Sequence, residues 1–176
     1  DYIISYFAVL KIGGIAVLLN TETTVRCLIY CLNHSGAKAI ITNKKYSRHL
    51  VPAVRKAPDL KEVIIDQEDL SEYAEIGHCN QIHLQDIYDG EKADHPGVRS
   101  IDTDPACIVY TSGSTGKPKG VTLSHLNMVS NTHSIVQYLE LTERDRIMVV
   151  LPFYYIYGKS LLNTHFCVKL PQKKHL

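Results

Sequence analysis

The segment Tyr110-Thr-Ser-Gly-Ser-Thr-Gly-Lys-Pro-Lys-Gly-Val121 constrains this chain more than any other part of it. Ala106, Cys107, Ile108 and Val109 precede it as a short apolar run, which reads as a buried strand. Gly120 to Leu123 reads as the return strand, and Ser124 can cap a following helix. Between the two strands, Thr111 to Gly120 holds four hydroxyl residues, three glycines and two lysines. Glycine lets the backbone turn sharply and lets a ligand approach it closely. Successive N–H groups in such a turn form an anion-binding concavity. The hydroxyls of Thr111, Ser112, Ser114 and Thr115 add donors, and Lys117 and Lys119 add charge suited to phosphate. The ligand this composition asks for is a polyphosphate.

Other glycine-rich loops do not fit. A Walker loop needs four residues between its glycines and a hydroxyl residue after the lysine. Here only two residues separate Gly113 from Gly116, and Pro118 follows Lys117. A nucleophile elbow needs Gly-x-Ser-x-Gly, but Ser114 follows Gly113 directly. The dinucleotide pattern Gly-x-Gly-x-x-Gly is also missing. A plain Gly/Ser linker rarely follows a core strand with so dense a set of phosphate-binding groups.

The rest of the chain alternates strand and helix, which predicts an α/β fold with a largely parallel sheet. Ile3, Phe7 and Leu10 mark a first helix, apolar nearly all round and therefore expected to be buried, with Gly13-Gly14 ending it. Ile15 to Leu19 follows as a strand. Thr23 or Thr24 caps a helix whose stripe is Val25, Leu28, Ile29 and Leu32, closed by Gly36. Ala37 to Thr42 and Val63 to Asp66 are strands. Tyr46 to Arg55 is helical with Pro52 expected to kink or restart it. Gln67 to Asp104 is polar and weakly periodic and reads as solvated surface and connecting loop. After Ser124 a helix extends to about Tyr138, with His133 expected as a core histidine that finds a partner. Ile147 to Leu151 is a continuous apolar run and predicts a buried strand. A last helix opens between Tyr154 and His165.

The aromatic residues Phe153, Tyr154, Tyr155 and Tyr157 then gather near the carboxyl end of a strand, where open α/β sheets bind ligands. The residues alone leave two readings open, a pocket wall and core packing. Cys79 stands near His78 and His83 without a second ligand pair, so it reads as scattered surface residues with no metal site.

With 176 residues, 45% hydrophobic and 21% charged, the chain can bury the core of one domain. A net charge of +1 gives no basic field for nucleic acid. No apolar run is long enough to span a bilayer. Five cysteines without a pairing framework suit a reduced, cytosolic setting. The absence of an initiator methionine and a start inside a helix suggest an N-terminal cut.

Thr111-Ser-Gly-Ser-Thr-Gly-Lys-Pro-Lys-Gly120 resembles the signature loop of the adenylate-forming enzymes, a superfamily of acyl-CoA synthetases, peptide adenylation domains and luciferases. Leu10-Lys-Ile-Gly-Gly-Ile-Ala-Val-Leu-Leu-Asn20 and Leu151-Pro-Phe-Tyr-Tyr-Ile-Tyr-Gly158 resemble two further segments of that family, in the family's order. The resemblance implies ATP-dependent activation of a carboxylic acid as an acyl-adenylate. Thioester formation with CoA, or with a carrier-protein thiol, follows. It implies ATP phosphate contacts from Thr111, Ser112, Gly113, Ser114, Thr115, Gly116 and Lys119, with Lys117 more exposed and more dispensable. It also implies Mg²⁺ on the phosphates and an acid pocket that includes Tyr154, Tyr155 and Gly158, which favours the pocket reading of the aromatic cluster.

Tyr155 stands where the family carries histidine, so a steering role for imidazolium is not carried over. The family's later acidic, ribose-binding and lysine motifs do not follow, and Pro171 to Leu176 resembles nothing in it. Residues 1–176 therefore read as part of an N-terminal AMP-binding domain, ended by truncation or a frameshift and expected not to turn over alone. A carrier-loading adenylation domain and a non-catalytic nucleotide-binding remnant are the alternatives.

Overall fold

The computed structural model describes residues 1–66, 78–90, 97–111 and 117–169. Among the described residues, six strands form two sheets. The first contains β1 (Ala16–Leu18), β5 (Pro105–Thr111) and β6 (Lys119–Ser124), in the order β1-β5-β6. The second contains β2 (Ala39–Asn43), β3 (Glu62–Asp66) and β4 (Asn80–His83), in sequence order. β1 runs parallel to β5, and β2, β3 and β4 are mutually parallel. Only β5 and β6 pair antiparallel, because one hairpin joins them. The expected parallel α/β layer is present, divided between two sheets.

The helices are α1 (Tyr2–Lys11), α2 (Val25–Ser35), α3 (Ser47–Val54), α4 (Leu84–Asp89), α5 (His125–Tyr138) and α6 (Ile156–Lys169). Local chemistry sets several boundaries. Thr24 caps α2 by accepting from the Cys27 N–H, and Gly36 closes it at φ 63°, a left-handed conformation glycine adopts without a Cβ penalty. Ser124 and Asn127 form a reciprocal capping box at the start of α5.

Each sheet has its own core. Leu28 and Leu32 of α2 and Leu50, Ala53 and Val54 of α3 pack on Val63 and Ile65 of β3. Tyr6 of α1, Ala16 and Leu18 of β1, and Cys107 and Val109 of β5 make the second cluster. Among the described residues no helix is long and apolar enough to cross a membrane.

Several expectations need correction. The polar stretch after Asp66 contains β4 and α4: Leu84 is buried at their junction, and β4 sits at a sheet edge where none of its four residues is fully buried. Ile147 to Leu151 forms no strand, and Met148 and Val150 are 80% and 72% exposed. Strand propensity reports fit to a half-buried pleated surface, and neither sheet offers this run one. In α1 only Tyr6 is buried, because a single face meets the sheet, and Ile4 points outward. Pro52 does not restart the helix: α3 runs from Ser47 to Val54 as one element with Pro52 inside it. His133 is exposed, and Thr132 is the buried residue of α5, its hydroxyl donating to the Met128 carbonyl. Leu126 and Val129 also face outward, so the inner face of α5 is rotated by one position from His133 to Thr132.

Cys79 likewise is not a surface residue. Its thiol is buried and donates to the Leu60 carbonyl, while His78 Nε2 lies 3.3 Å from the Ala57 carbonyl.

Candidate functional site

The glycine-rich loop leaves the carboxyl end of β5. Thr111 pairs with Lys119 across the β5–β6 ladder, and Thr111 Oγ1 lies 3.5 Å from the Lys119 carbonyl. The ladder therefore fixes both ends of the loop relative to each other. Ser112, Gly113, Ser114, Thr115 and Gly116 lie outside the described residues. Lys117, in a bend before Pro118, and Lys119, first residue of β6, are both exposed. Their ammonium groups and the Thr111 hydroxyl stand on the same solvent-facing hairpin end.

Tyr110 anchors this end of β5 to α2. Its hydroxyl lies 2.9 Å from His34 Nδ1 and 3.4 Å from the Cys31 carbonyl. The His34 ring stacks on Tyr30, and both rings meet Tyr110 edge-on. Burial pushes the Tyr110 phenol up to about 12, so it stays a neutral hydrogen-bonding group. Sequence reading missed this contact; its one available signal was a histidine at the end of a helix whose apolar stripe lies elsewhere.

The aromatic cluster divides by position. Phe153 stacks on Tyr2, whose hydroxyl donates to the Phe153 carbonyl, and Tyr2 stacks in turn on Tyr6. That is packing between α1 and the turn before α6. Tyr154 and Tyr155 sit beside each other, ring centroids 4.6 Å apart. Tyr154 packs on the cluster that holds Leu18 and Val109, near the carboxyl ends of parallel β1 and β5. Desolvation raises its phenol pKa, and a hydrogen bond with Tyr155 adds to the effect. Tyr155 is half exposed. Gly158 is buried beneath the turn, against the Pro152 carbonyl. Thus the loop start and the Tyr154–Tyr155 pair lie at the same carboxyl edge of the first sheet, where parallel strands place ligand sites.

A second unanticipated group lies below that edge. Lys159, on α6, is only 3% exposed. Its ammonium nitrogen is 2.7 Å from Cys107 Sγ, 3.5 Å from Met128 Sδ and 4.8 Å from the centre of the Tyr6 ring. The available sequence signal was a lysine three residues before Leu162 on the buried helix face. Burial lowers its pKa from the usual 10.5, against weaker raising effects of Cys107. The folded chain then binds fewer protons than the unfolded chain in the window between that lowered value and 10.5. Stability should therefore rise with pH through the window. Lys159→Met should remove that part of the slope, read as the difference between the two proteins' urea midpoints at stepped pH. Parallel pH profiles would contradict it.

A family model described as AMP-binding enzyme matches residues 1–168. The chain is 34% identical to long-chain-fatty-acid–CoA ligase 1 of Schizosaccharomyces pombe, over 73% of this chain and 20% of that protein. It is 28% identical to oxalate–CoA ligase of Arabidopsis thaliana, over 90% of this chain and 29% of that protein. Its fold matches the crystal structure of the anthranilate CoA ligase AuaEII, solved in complex with anthranoyl-AMP, with a TM-score of 0.83 and 24% identity. That match covers 94% of this chain and 31% of AuaEII. The chain spans about a third or less of the length of the curated relatives it matches.

Proposed function

The chain belongs to the AMP-binding enzyme family, and from that membership we propose that the protein carrying it activates a carboxylic acid with ATP and transfers the acyl group to a thiol. The observation that carries this reading is the β5–β6 ladder, which pairs Thr111 with Lys119 at the carboxyl end of β5, the two residues that bracket the hydroxyl- and glycine-rich stretch in the sequence. Its donors are hydroxyls, backbone N–H groups and ammonium groups, which suit phosphate oxygens. Thr111, Ser112, Ser114, Thr115 and Lys119 would hold the β- and γ-phosphates, with Gly113 and Gly116 giving the backbone its close approach and Lys117 contributing from the rim. Mg²⁺, when bound on the phosphates, would neutralise part of their charge.

The reaction follows from this placement. The carboxylate attacks the α-phosphate, the bond to the β-phosphate breaks, and negative charge grows on the departing pyrophosphate. Donors already aimed at that position stabilise the charge without reorganising. The acid would lie against Tyr154 and Tyr155, with buried Gly158 letting the turn close behind them. Tyr155 contributes a neutral phenol where the family carries histidine, so it can hydrogen-bond a carboxylate but supplies no positive charge. CoA is the acceptor favoured by the names of the relatives, and a carrier-protein thiol is the competing acceptor.

The test is exchange of labelled pyrophosphate into ATP by the protein carrying this chain, across a panel of carboxylic acids. Exchange that depends on the acid supports the reading. ATP binding without exchange by any acid would favour a nucleotide-binding remnant, and acid-independent release of ADP would defeat both.

A further inference from the structure

Cys107 is fully buried, and Lys159 faces it with no carboxylate among its described contacts. The remaining neighbours, the Met128 thioether and the Tyr6 ring face, are weakly polar. The 2.7 Å approach of Nζ to Sγ is shorter than the Cys79 thiol contact to the Leu60 carbonyl at 3.1 Å and the contacts to Met128 Sδ at 3.5 to 3.8 Å. A nitrogen-to-oxygen hydrogen bond spans about 2.7–3.2 Å, and sulfur is the larger atom, so an ordinary N–H···S bond would be longer. The pair is therefore pressed together by β5 and α6 more closely than a hydrogen bond requires. Desolvation also favours the neutral amine, which keeps a lone pair.

We propose that Cys107 and Lys159 form an oxidative covalent bridge in which a single oxygen atom joins Sγ to Nζ. The co-reactant is dioxygen, small and uncharged enough to reach a buried sulfur. The thiol gives up its S–H hydrogen and the neutral amine gives up one N–H hydrogen. One oxygen atom becomes the bridge, forming the S–O and O–N bonds, and the other leaves as water with the two hydrogens. Sulfur and nitrogen are each oxidised by two electrons, and dioxygen accepts all four.

Burial argues against the usual alternative. Stepwise oxidation to sulfinic and sulfonic acids follows thiolate character and exposure, and Cys107 is not exposed. The bridge would tie β5, the strand that enters the glycine-rich loop, to α6, the helix that follows the Tyr154–Tyr155 turn.

The experiment is mass spectrometry on the protein carrying this chain, purified under reductant and then held in air-saturated buffer without it. The expected product is heavier by one oxygen and lighter by two hydrogens. Peptide mapping should place it in a linked pair of peptides containing Cys107 and Lys159, uncleaved by trypsin after Lys159, and dithiothreitol should restore the starting mass. The product should vanish in Cys107→Ser and in Lys159→Met. Wild-type mapping decides the matter alone if either variant fails to fold. Cys107 and Lys159 recovered on separate, unlinked peptides after prolonged exposure would overturn the proposal. So would a direct S–N bond lacking the oxygen, or oxygen added to Cys107 with Lys159 unchanged.

Discussion

Replacing Lys119 by alanine is expected to slow acid-dependent pyrophosphate formation by about two orders of magnitude, the usual loss when one preorganised donor to a developing negative charge is removed. Lys117→Ala is expected to cost only a few-fold, roughly what an exposed, mobile charge contributes. The residues have the same side chain and stand two positions apart, so the difference must come from how each backbone is held. Lys119 begins β6, and its pairing with Thr111 locks its position relative to the end of β5. Lys117 sits in the bend before Pro118, outside the ladder. A charge on a fixed strand can be aimed at the leaving phosphates before the reaction starts, whereas a charge on a bend must be ordered as part of it.

The kinetic signature follows. Charge on the leaving group is greatest in the transition state, so Lys119→Ala should lower the rate at saturating ATP and not merely raise KM. Steady-state kinetics on the protein carrying this chain would check this. Equal, small losses for the two variants would show that neither lysine is aimed, and the phosphate assignment for Lys119 would fall.

The parts of the fold that could be read from sequence are those whose cause is local. The stripe of α2, its Thr24 cap and Gly36 stop, and the Ser124 start of α5 depend on side chains within a turn or two of one another. β5 was legible because a strand buried on both faces is a continuous apolar run. The same rule failed at Ile147 to Leu151, since an apolar run forms a strand only where a neighbouring strand offers hydrogen bonds. Conversely, β4 is held by β3 at Glu62↔Asn80 and Ile64↔Ile82, so its polar composition hid it.

Around the candidate site, the β5–β6 pairing that flanks the glycine-rich loop was legible from residue types, while Ser112 to Gly116 lie outside the described residues. The Tyr110–His34 contact joins residues 76 apart, and the Lys159–Cys107 contact residues 52 apart. Each left only one faint local signal, because the contact itself depends on which helix lands on which strand.

Gly158→Ala provides the stability counterpart, and here two effects oppose each other. Gly158 lies inside α6, where helix propensity alone would favour alanine by about 1 kcal/mol. A Cβ there would run into the Pro152 carbonyl oxygen and lie 3.0 Å from that of Leu151. Both are backbone atoms and cannot rotate away. The Pro152 carbonyl also accepts from the Tyr155 N–H, and the Tyr155 carbonyl accepts from the Lys159 N–H, so the turn is held on both sides of the clash. Forcing a methyl into such a site costs about 3 kcal/mol. The clash wins, and a net loss of about 2 kcal/mol is expected, read as a lower urea midpoint at unchanged m-value. Gly36→Ala is the control: nothing lies within 4 Å of its Cβ position, so only its left-handed φ of 63° matters. That should cost about 1 kcal/mol. If Gly158→Ala were as stable as the parent, the turn would have to give way without resistance, and the packing that sets Tyr154 and Tyr155 at the carboxyl edge of β1 and β5 would not be rigid. A loss at Gly158 that exceeds the loss at Gly36 would place the constraint in the crowding of that turn and not in glycine's backbone freedom.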